Sequence, residues 1–339
     1  MENVNVNFSP SRGPYDQKSN FVWAHPATAW RILRHRDHRR DGSDGREADS
    51  SGLFGSVWVG DSLFAKPRPD SISLLGGLAT ATERVKLAVG CMASFPVRDP
   101  IIFAYQWATL DLISQGRMLL AVCTGIGGPS ESEGSHWGVA NSERAARLEE
   151  NIEICRRLWG EENVTFAGKF RSLDNVTIAP RPVQEPCPIW IAANPMKPKF
   201  VDGAMRRVAT KADGWMSVQL APKLFATLRA KLDGFLEAEK RDPDAFPNTL
   251  YHNINIGSDR QKSLDESQKF LDAYYGPGIF SESMTAAWTA AGSPDECIEH
   301  LRELIADGAR GITFRLTSWQ QQEQYDRLVN EVLPHVLAA

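Results

Sequence analysis

Short apolar segments alternate along the chain with longer segments whose hydrophobic residues recur at helical spacing. The apolar segments are rich in β-branched and aromatic residues, and Gly, Pro or Asp usually stands in the connections, which is typical of buried strands joined to helices. The pattern predicts seven strands, at residues 56–60, 85–91, 117–123, 188–193, 213–217, 250–256 and 311–316. An eighth strand is expected near the N-terminus, at either residues 4–8 or residues 21–24.

Helices are predicted beside these strands, at residues 71–82, 101–112, 142–159, 201–211, 222–240, 264–275, 294–307 and 320–337. The helix from residue 294 has a clear start, because Ser293 can cap it and Pro294 suits its first turn. Near-continuous apolar strands separated by helices favour an α/β fold, a parallel sheet closed into a (β/α)8 TIM barrel. We therefore expect one domain over residues 1–339, with a doubly wound open sheet as the alternative.

Two segments depart from this rhythm. Residues 31–50 are too polar for the first helix of a barrel, so we expect a surface helix that ends in a mobile loop. Residues 158–188 contain apolar residues around Gly168 followed by prolines, which predicts a hairpin inserted after the fourth βα unit. We expect this insertion to lie over one mouth of the barrel.

The charge balance and the cysteines narrow the function classes. The chain carries 38 Lys and Arg against 42 Asp and Glu, a formal charge of -4, which argues against nucleic acid or an anionic membrane as partner. The five cysteines are far apart and form no C-x-x-C pair, so neither a disulfide framework nor a zinc site is expected. The chain begins without a basic leader, and no apolar run approaches the roughly 18 residues needed to span a bilayer. We therefore expect a cytoplasmic protein that binds a small molecule.

In a parallel barrel the chemistry lies where the strands end, so the residues after each strand are the candidates. These residues are Asp61, Ser62, Cys91, Met92, Cys123, Thr124 and Asn194. The set combines thiols, small polar groups and one carboxylate, and it lacks the His and acidic ligands of a metal site. The chain also has no G-x-S-x-G, G-x-G-x-x-G or G-x-x-x-x-G-K motif, which argues against a serine hydrolase, a dinucleotide site and a nucleoside triphosphate site.

An ordered set of motifs gives a more specific indication. The motifs are SVWVGDS (56–62), ATATERVKLAVG (79–90), VRDP (97–100), ATLDLISQGRMLLAVCTG (108–125), ERAARLEENIEICRRLW (143–159), PRPVQEPCPIWIAA (180–193), RRVATKADGWM (206–216) and GSPDECIEHLRELIADGARGITFRL (292–316). Together they resemble the luciferase-like flavin-dependent monooxygenase family, in its order and spacing, over residues 52–339.

The resemblance implies a TIM barrel that binds a flavin-type cofactor without a covalent bond. The main expectation is a monooxygenase that oxidises a small organic substrate with O2 and with reduced FMN from a separate NAD(P)H:flavin reductase. The alternatives are an oxidoreductase that transfers hydride through the deazaflavin coenzyme F420, and a flavin-binding barrel without turnover. The resemblance, and the apolar helix predicted at residues 101–112, also imply a homodimer.

The resemblance places the cofactor ring against the end of the strand at residues 85–91, where many members have a non-prolyl cis peptide. The matching residues are Gly90, Cys91 and Met92, for which ordinary core filling is the alternative. Cys123 stands where the family's type member has a reactive thiol, although buried cysteines usually act as small apolar residues. Thr124 replaces a phosphate-binding Arg, so this contact must be made differently.

The remaining candidates surround the same expected site. Asp61 orients the ring system or caps the next segment, and Ser62 replaces a proton-transferring His, so that another group must handle protons. His136 and Trp137 are expected over the cofactor, or in a solvent-exposed loop, and Asp61, Cys123 and His136 are the candidate catalytic residues. Arg144 is expected to bind the cofactor phosphate, or to form a surface ion pair with Glu143 or Glu149. Asn194, with Lys197 and Lys199, is also expected to bind phosphate. Arg315 and Trp319 are expected to face the substrate, with a structural pairing as the alternative for Arg315.

Overall fold

A computed structural model describes residues 3–7, 41–64, 68–125 and 128–337. In chain order its strands are β1 (Asn3–Asn7), β2 (Ser56–Asp61), β3 (Lys86–Met92), β4 (Met118–Val122), β5 (Val164–Ala167), β6 (Ser172–Val176), β7 (Ile189–Ala192), β8 (Gly214–Val218), β9 (Asn248–Ile256), β10 (Thr289–Gly292) and β11 (Gly311–Leu316). Its α-helices are α1 (Asp41–Ser51), α2 (Ser71–Ala81), α3 (Pro100–Ser114), α4 (Arg144–Gly160), α5 (Pro198–Lys211), α6 (Leu224–Ala238), α7 (Arg260–Tyr275), α8 (Glu282–Ala287), α9 (Pro294–Ala306), α10 (Gln321–Arg327) and α11 (Leu333–Leu337).

One sheet forms the centre of an α/β fold. Its strand order is β10-β9-β11-β1-β2-β3-β4-β7-β8, and β8 also pairs with β9, so the sheet curls back on itself. The open-sheet alternative would leave both edges unpaired and does not fit this closure. All seven strands predicted from the apolar pattern overlap parallel strands of the sheet.

The N-terminal strand differs from the other members of the barrel. β1 occupies the place between β11 and β2 and overlaps the predicted segment 4–8, but it runs antiparallel to both neighbours. The other candidate, residues 21–24, lies outside the described residues. β10 was not expected from the sequence, and it pairs in parallel with the second half of β9.

The two irregular segments have defined structures where they are described. Residues 41–51 form helix α1, in which Ala48 is buried, rather than the expected mobile loop. β5 and β6 pair in antiparallel fashion, and the amides of Lys169 and Phe170 in their turn donate to the Glu150 carboxylate of α4. These contacts place the β5–β6 hairpin against α4. The expected position of this hairpin over a barrel mouth is not confirmed.

Local sequence explains where the helices begin and end. Asp99 caps α3 by accepting the amides of Ile101 and Ile102, and α3 ends at Gln115 in the left-handed conformation. Ser293 and Glu296 form a reciprocal capping box at α9, as its sequence predicted. The segment predicted as one helix at residues 320–337 is instead interrupted by a π-helical turn at Leu328–Val332.

The interior of the curled sheet is filled by large side chains from opposite strands. The rings of Trp58 on β2 and Trp190 on β7 lie 6.1 Å apart, although these strands are not neighbours. In the part of the chain that the structure describes, no helix combines the length and apolarity needed to cross a membrane.

Two histidines pack against each other between the sheet and the helices. Nε2 of His252 on β9 lies 2.9 Å from Nε2 of His300 on α9, and His252 is fully buried. Burial is the main cause that lowers the pKa of both rings; the Arg260 cation lowers the pKa of His300 further, and a proton on His300 would lower that of His252 further. Both rings are therefore neutral in the folded protein near neutral pH.

This pair predicts a loss of stability in mild acid. Because the unfolded histidines bind protons near pH 6.5 and the folded ones do so only at lower pH, the free energy of unfolding falls as pH decreases below about 6.5, by up to about 1.4 kcal/mol per pH unit for each such proton. Urea unfolding at pH 7.5 and pH 5.0 measures the loss. H252N should lose less than the wild type, whereas H335N, at an exposed position, should match it; equal losses in all three proteins would rule out this account.

Candidate active site

The carboxyl ends of β2, β3 and β4 bring most of the predicted site residues to one mouth of the barrel. Asp61 is buried, and its carboxylate accepts the Ser71 hydroxyl at 2.8 Å and the Ser94 amide at 2.9 Å. Arg98 adds an ion pair at 3.3 Å. Since Asp61 is committed to these donors, it holds the ends of β2 and β3 together, and its predicted catalytic role stays a prediction.

Ser62 follows Asp61 and faces the interior. It is 8% exposed, and its hydroxyl oxygen has no hydrogen-bond partner among the described residues. Next to it, the guanidinium of Arg68 lies over Gly60, where any side chain would collide with it. The mouth near β2 therefore combines an unpartnered hydroxyl with an inward-pointing cation.

The end of β3 carries the irregularity that the resemblance implied. The peptide bond between Gly90 and Cys91 is cis, which confirms the expected position. The register with β2 and with β4 shifts at this point, and a side chain at Gly90 would collide with Trp58 and Met216. Gly90 is thus required where β3 approaches the other side of the barrel.

Two thiols meet on neighbouring strands at the mouth. Sγ of Cys91 lies 2.7 Å from Sγ of Cys123, and both residues are half-buried. The hydrogen bond from Cys91, followed by burial, raises the pKa of the Cys123 thiol. A raised pKa is the opposite of what a thiolate nucleophile needs. The Cys123 thiol is therefore protonated at neutral pH and polarisable, and a catalytic role for Cys123 stays a prediction.

Arg144 and Glu133 organise the loop after β4. Arg144 is fully buried and donates to the carbonyl oxygens of Thr124 and Gly125, at 3.3 and 2.9 Å. The surface ion pair considered for Arg144 is therefore wrong, and its guanidinium contacts backbone where phosphate was expected. Glu133 is 2% exposed and accepts the Phe64 amide at 2.8 Å, so a buried carboxylate missed by sequence reasoning joins the loops after β2 and β4.

The other predicted residues lie farther out. Trp137 is 47% exposed and stacks on Phe64, whose ring also meets the edge of exposed His136. Asn194 is half-buried directly after β7. Trp319 packs against Phe270 and is half exposed. The cofactor and substrate contacts expected of these residues stay predictions.

Residues 260–288, which we call the cap, close the opposite side of the mouth. Tyr275 in the cap accepts a hydrogen bond from Arg315 on β11 at 2.8 Å, and Tyr274 accepts one from Arg68. Trp288 packs edge-on against Tyr251 of β9. Sequence reasoning singled out Arg315 but missed the rings, because they come from separate segments that only the fold brings together.

A comparison with models of protein families assigns the chain to a family. The family model of the luciferase-like monooxygenases matches residues 45–311. The chain belongs to this family. The described residues contain no group of three His, Cys, Asp or Glu side chains that could hold a metal ion. Family and fold together identify an oxidoreductase barrel.

Curated relatives correct the expected cofactor. The chain is 27% identical to an F420-dependent glucose-6-phosphate dehydrogenase from Nakamurella multipartita, over 84% of this chain and 89% of the relative. It is 28% identical to the enzyme of the same name from Kineococcus radiotolerans, over 85% and 90%. The expectation that FMN is the main cofactor is wrong in view of these relatives. The separate flavin reductase, expected only as the source of reduced FMN, loses its basis as well.

Solved structures show the same fold at lower identity. An F420-dependent secondary alcohol dehydrogenase in complex with an F420-acetone adduct matches with a TM-score of 0.74 and 17% identity, over 88% of this chain and 95% of that one. A monooxygenase from Streptomyces bottropensis matches with a TM-score of 0.70 and 24% identity, over 87% and 92%. The barrel is therefore shared by both branches of the chemistry, and the fold alone does not distinguish them.

The thiol arrangement predicts which cysteines react in the native protein. Burial raises the pKa of Cys155, Cys187 and Cys297, whereas Cys91 and Cys123 are half-buried at the mouth. A disulfide reagent at neutral pH should therefore modify at most Cys91 and Cys123 before unfolding, with the sites identified by mass spectrometry.

The double variant C91S/C123S provides the control, because it should not react at all until it is denatured. Native labelling of Cys155, Cys187 or Cys297 at the rate of the other two would show that the accessibility of the thiols has been misassigned.

Proposed function

We propose that this chain is an F420-dependent oxidoreductase that transfers a hydride between the deazaflavin and a small organic substrate. The observation that carries the proposal is the similarity to F420-dependent dehydrogenases, which extends over 84% of the chain. When bound, the coenzyme would supply the hydride acceptor or donor. The chain itself must then bind the coenzyme, orient the substrate and move the accompanying proton.

The mouth fits a flat cofactor that carries negative charge. The polarisable sulfur atoms of Cys91 and Cys123 and the bulge at Gly90–Met92 offer a surface for a ring, and the Ser62 hydroxyl is available as a donor. Arg68 provides positive charge at the same opening. We assign contacts with the ring of the cofactor to these residues. Arg144 holds the loop after β4 that borders them.

Proton transfer requires a group other than Ser62. A serine hydroxyl is a poor base near neutral pH, and Asp61 is occupied by three donors. Glu133 is the other buried carboxylate at the mouth, and it joins the loops after β2 and β4 by accepting the Phe64 amide. We assign to Glu133 the proton that leaves or joins the substrate oxygen during hydride transfer.

The first test concerns the cofactor. The purified protein should bind F420, measured by the change in coenzyme fluorescence, and should bind FMN at least about tenfold more weakly, which corresponds to about 1.4 kcal/mol. Binding is measured without substrate and does not depend on turnover. Equal or preferential binding of FMN would refute the proposal.

The second test concerns Glu133. E133Q should bind F420 like the wild type but lower kcat by about 100-fold or more, because a positioned proton-transfer group contributes on that order. Reduction of F420 is measured with glucose 6-phosphate and 2-propanol as trial substrates. E143Q, which changes a helix-terminal carboxylate paired with Arg147, is the control. A normal kcat in E133Q would remove Glu133 from this role.

A further inference from the structure

Two arginines at the mouth have no carboxylate in contact with them in the part of the chain that the structure describes. Arg315 is fully buried, and Arg68 is half-buried over Gly60. Among the described residues neither guanidinium has an acidic oxygen within 4.0 Å, and Asp61, the acidic group that acts on Arg68, forms its ion pair with Arg98. Burying a cation without a counter-ion is costly, so both positions favour an anion.

The two cations share one aromatic chamber under the cap. The Cζ atom of Arg315 lies 4.7 Å from the ring centroid of Trp288, 5.1 Å from Tyr251 and 5.2 Å from Tyr275. The centroid of Tyr274 lies 5.7 Å from the Cζ atoms of both Arg315 and Arg68. The rings offset part of the charge through cation–π contacts, and both guanidinium groups lie near the same tyrosine.

The hydrogen bonds of Arg315 leave one donor for a ligand. Nε donates to the Asn253 side chain and Nη1 to the Tyr275 hydroxyl, both at 2.8 Å. Nη2 is buried and has no hydrogen-bond partner among the described residues. A structural arginine would normally use this group, because a buried donor without an acceptor costs free energy.

We propose that Arg315 and Arg68 form a binding site for a carboxylate or phosphate group beneath the cap, and that the substrate is therefore an organic anion. The assignment rests on the proposed function only in calling the anion part of the substrate. Guanidinium groups bind such oxyanions through paired, charge-assisted hydrogen bonds. The aromatic walls would hold the uncharged part of the same molecule against the cofactor side of the mouth.

The experiment measures anion binding to the full chain without coenzyme. Inorganic phosphate and glucose 6-phosphate are titrated calorimetrically at constant ionic strength, with glucose as the neutral probe. Wild type should bind both anions and not glucose. R315M and R68M should each bind the anions at least about tenfold more weakly, since a hydrogen bond to a charged group contributes about that factor.

Two further variants make the result specific. R310M is the matched control, because Arg310 lies at the other end of β11 and pairs with exposed Asp244, and it should bind like the wild type. R315K retains the charge and should keep part of the affinity. Anion binding unchanged in both R315M and R68M, or no anion binding by the wild type, would overturn the proposal; if R315M does not fold, R68M decides.

A competition experiment identifies the source of the anionic group. If phosphate leaves the affinity for F420 unchanged, the site belongs to the substrate, as proposed. If phosphate displaces F420, the site belongs to the anionic part of the coenzyme and the substrate assignment is wrong. Failure of F420 to bind at all would instead refute the proposed function, while the calorimetric result for phosphate would stand independently.

Discussion

The buried carboxylate of Asp61 is the interaction on which the mouth of the barrel depends. It joins the start of α2 through Ser71, the turn after β3 through the Ser94 amide, and Arg98. A buried charge is retained only when its partners are in place, so these segments cannot move independently. Ser62, the next residue, is thereby directed inward and kept free of hydrogen bonds within the described structure.

The mouth is electrostatically divided. On the side of β3 and β4 the Cys123 thiol is neutral, because its environment raises its pKa. On the side of β9, β11 and the cap, Arg315 keeps its charge among tyrosines whose own burial raises the pKa of Tyr251 and Tyr274. A flat ring and an anionic group are thus accommodated by different strands, which suits a reaction between two bound molecules.

Periodicity predicts the strands well because a buried parallel strand must be apolar along its whole length, as β4 is. The cis peptide at Gly90 could also be expected, since the family motif surrounds it. The contacts of Arg144 could not, because its acceptors are backbone carbonyls that depend on the conformation of a loop. The rings around Arg315 likewise come from β9 and from two parts of the cap, the end of α7 and the residue before β10. No local sequence pattern connects these segments.

The cofactor could not be predicted correctly from the sequence either, and the reason is chemical. The motifs that carry the family resemblance build the barrel and its bulge, and solved structures of F420-dependent enzymes and of a monooxygenase share that frame. What differs between branches must therefore reside in the few side chains that face the mouth. In this chain a serine replaces the expected histidine at position 62, and a buried glutamate lies across from it at position 133. If Glu133 moves the proton as proposed, the proton-transfer group has changed loops while the barrel is preserved, and a substrate oxygen must lie near the loop after β4.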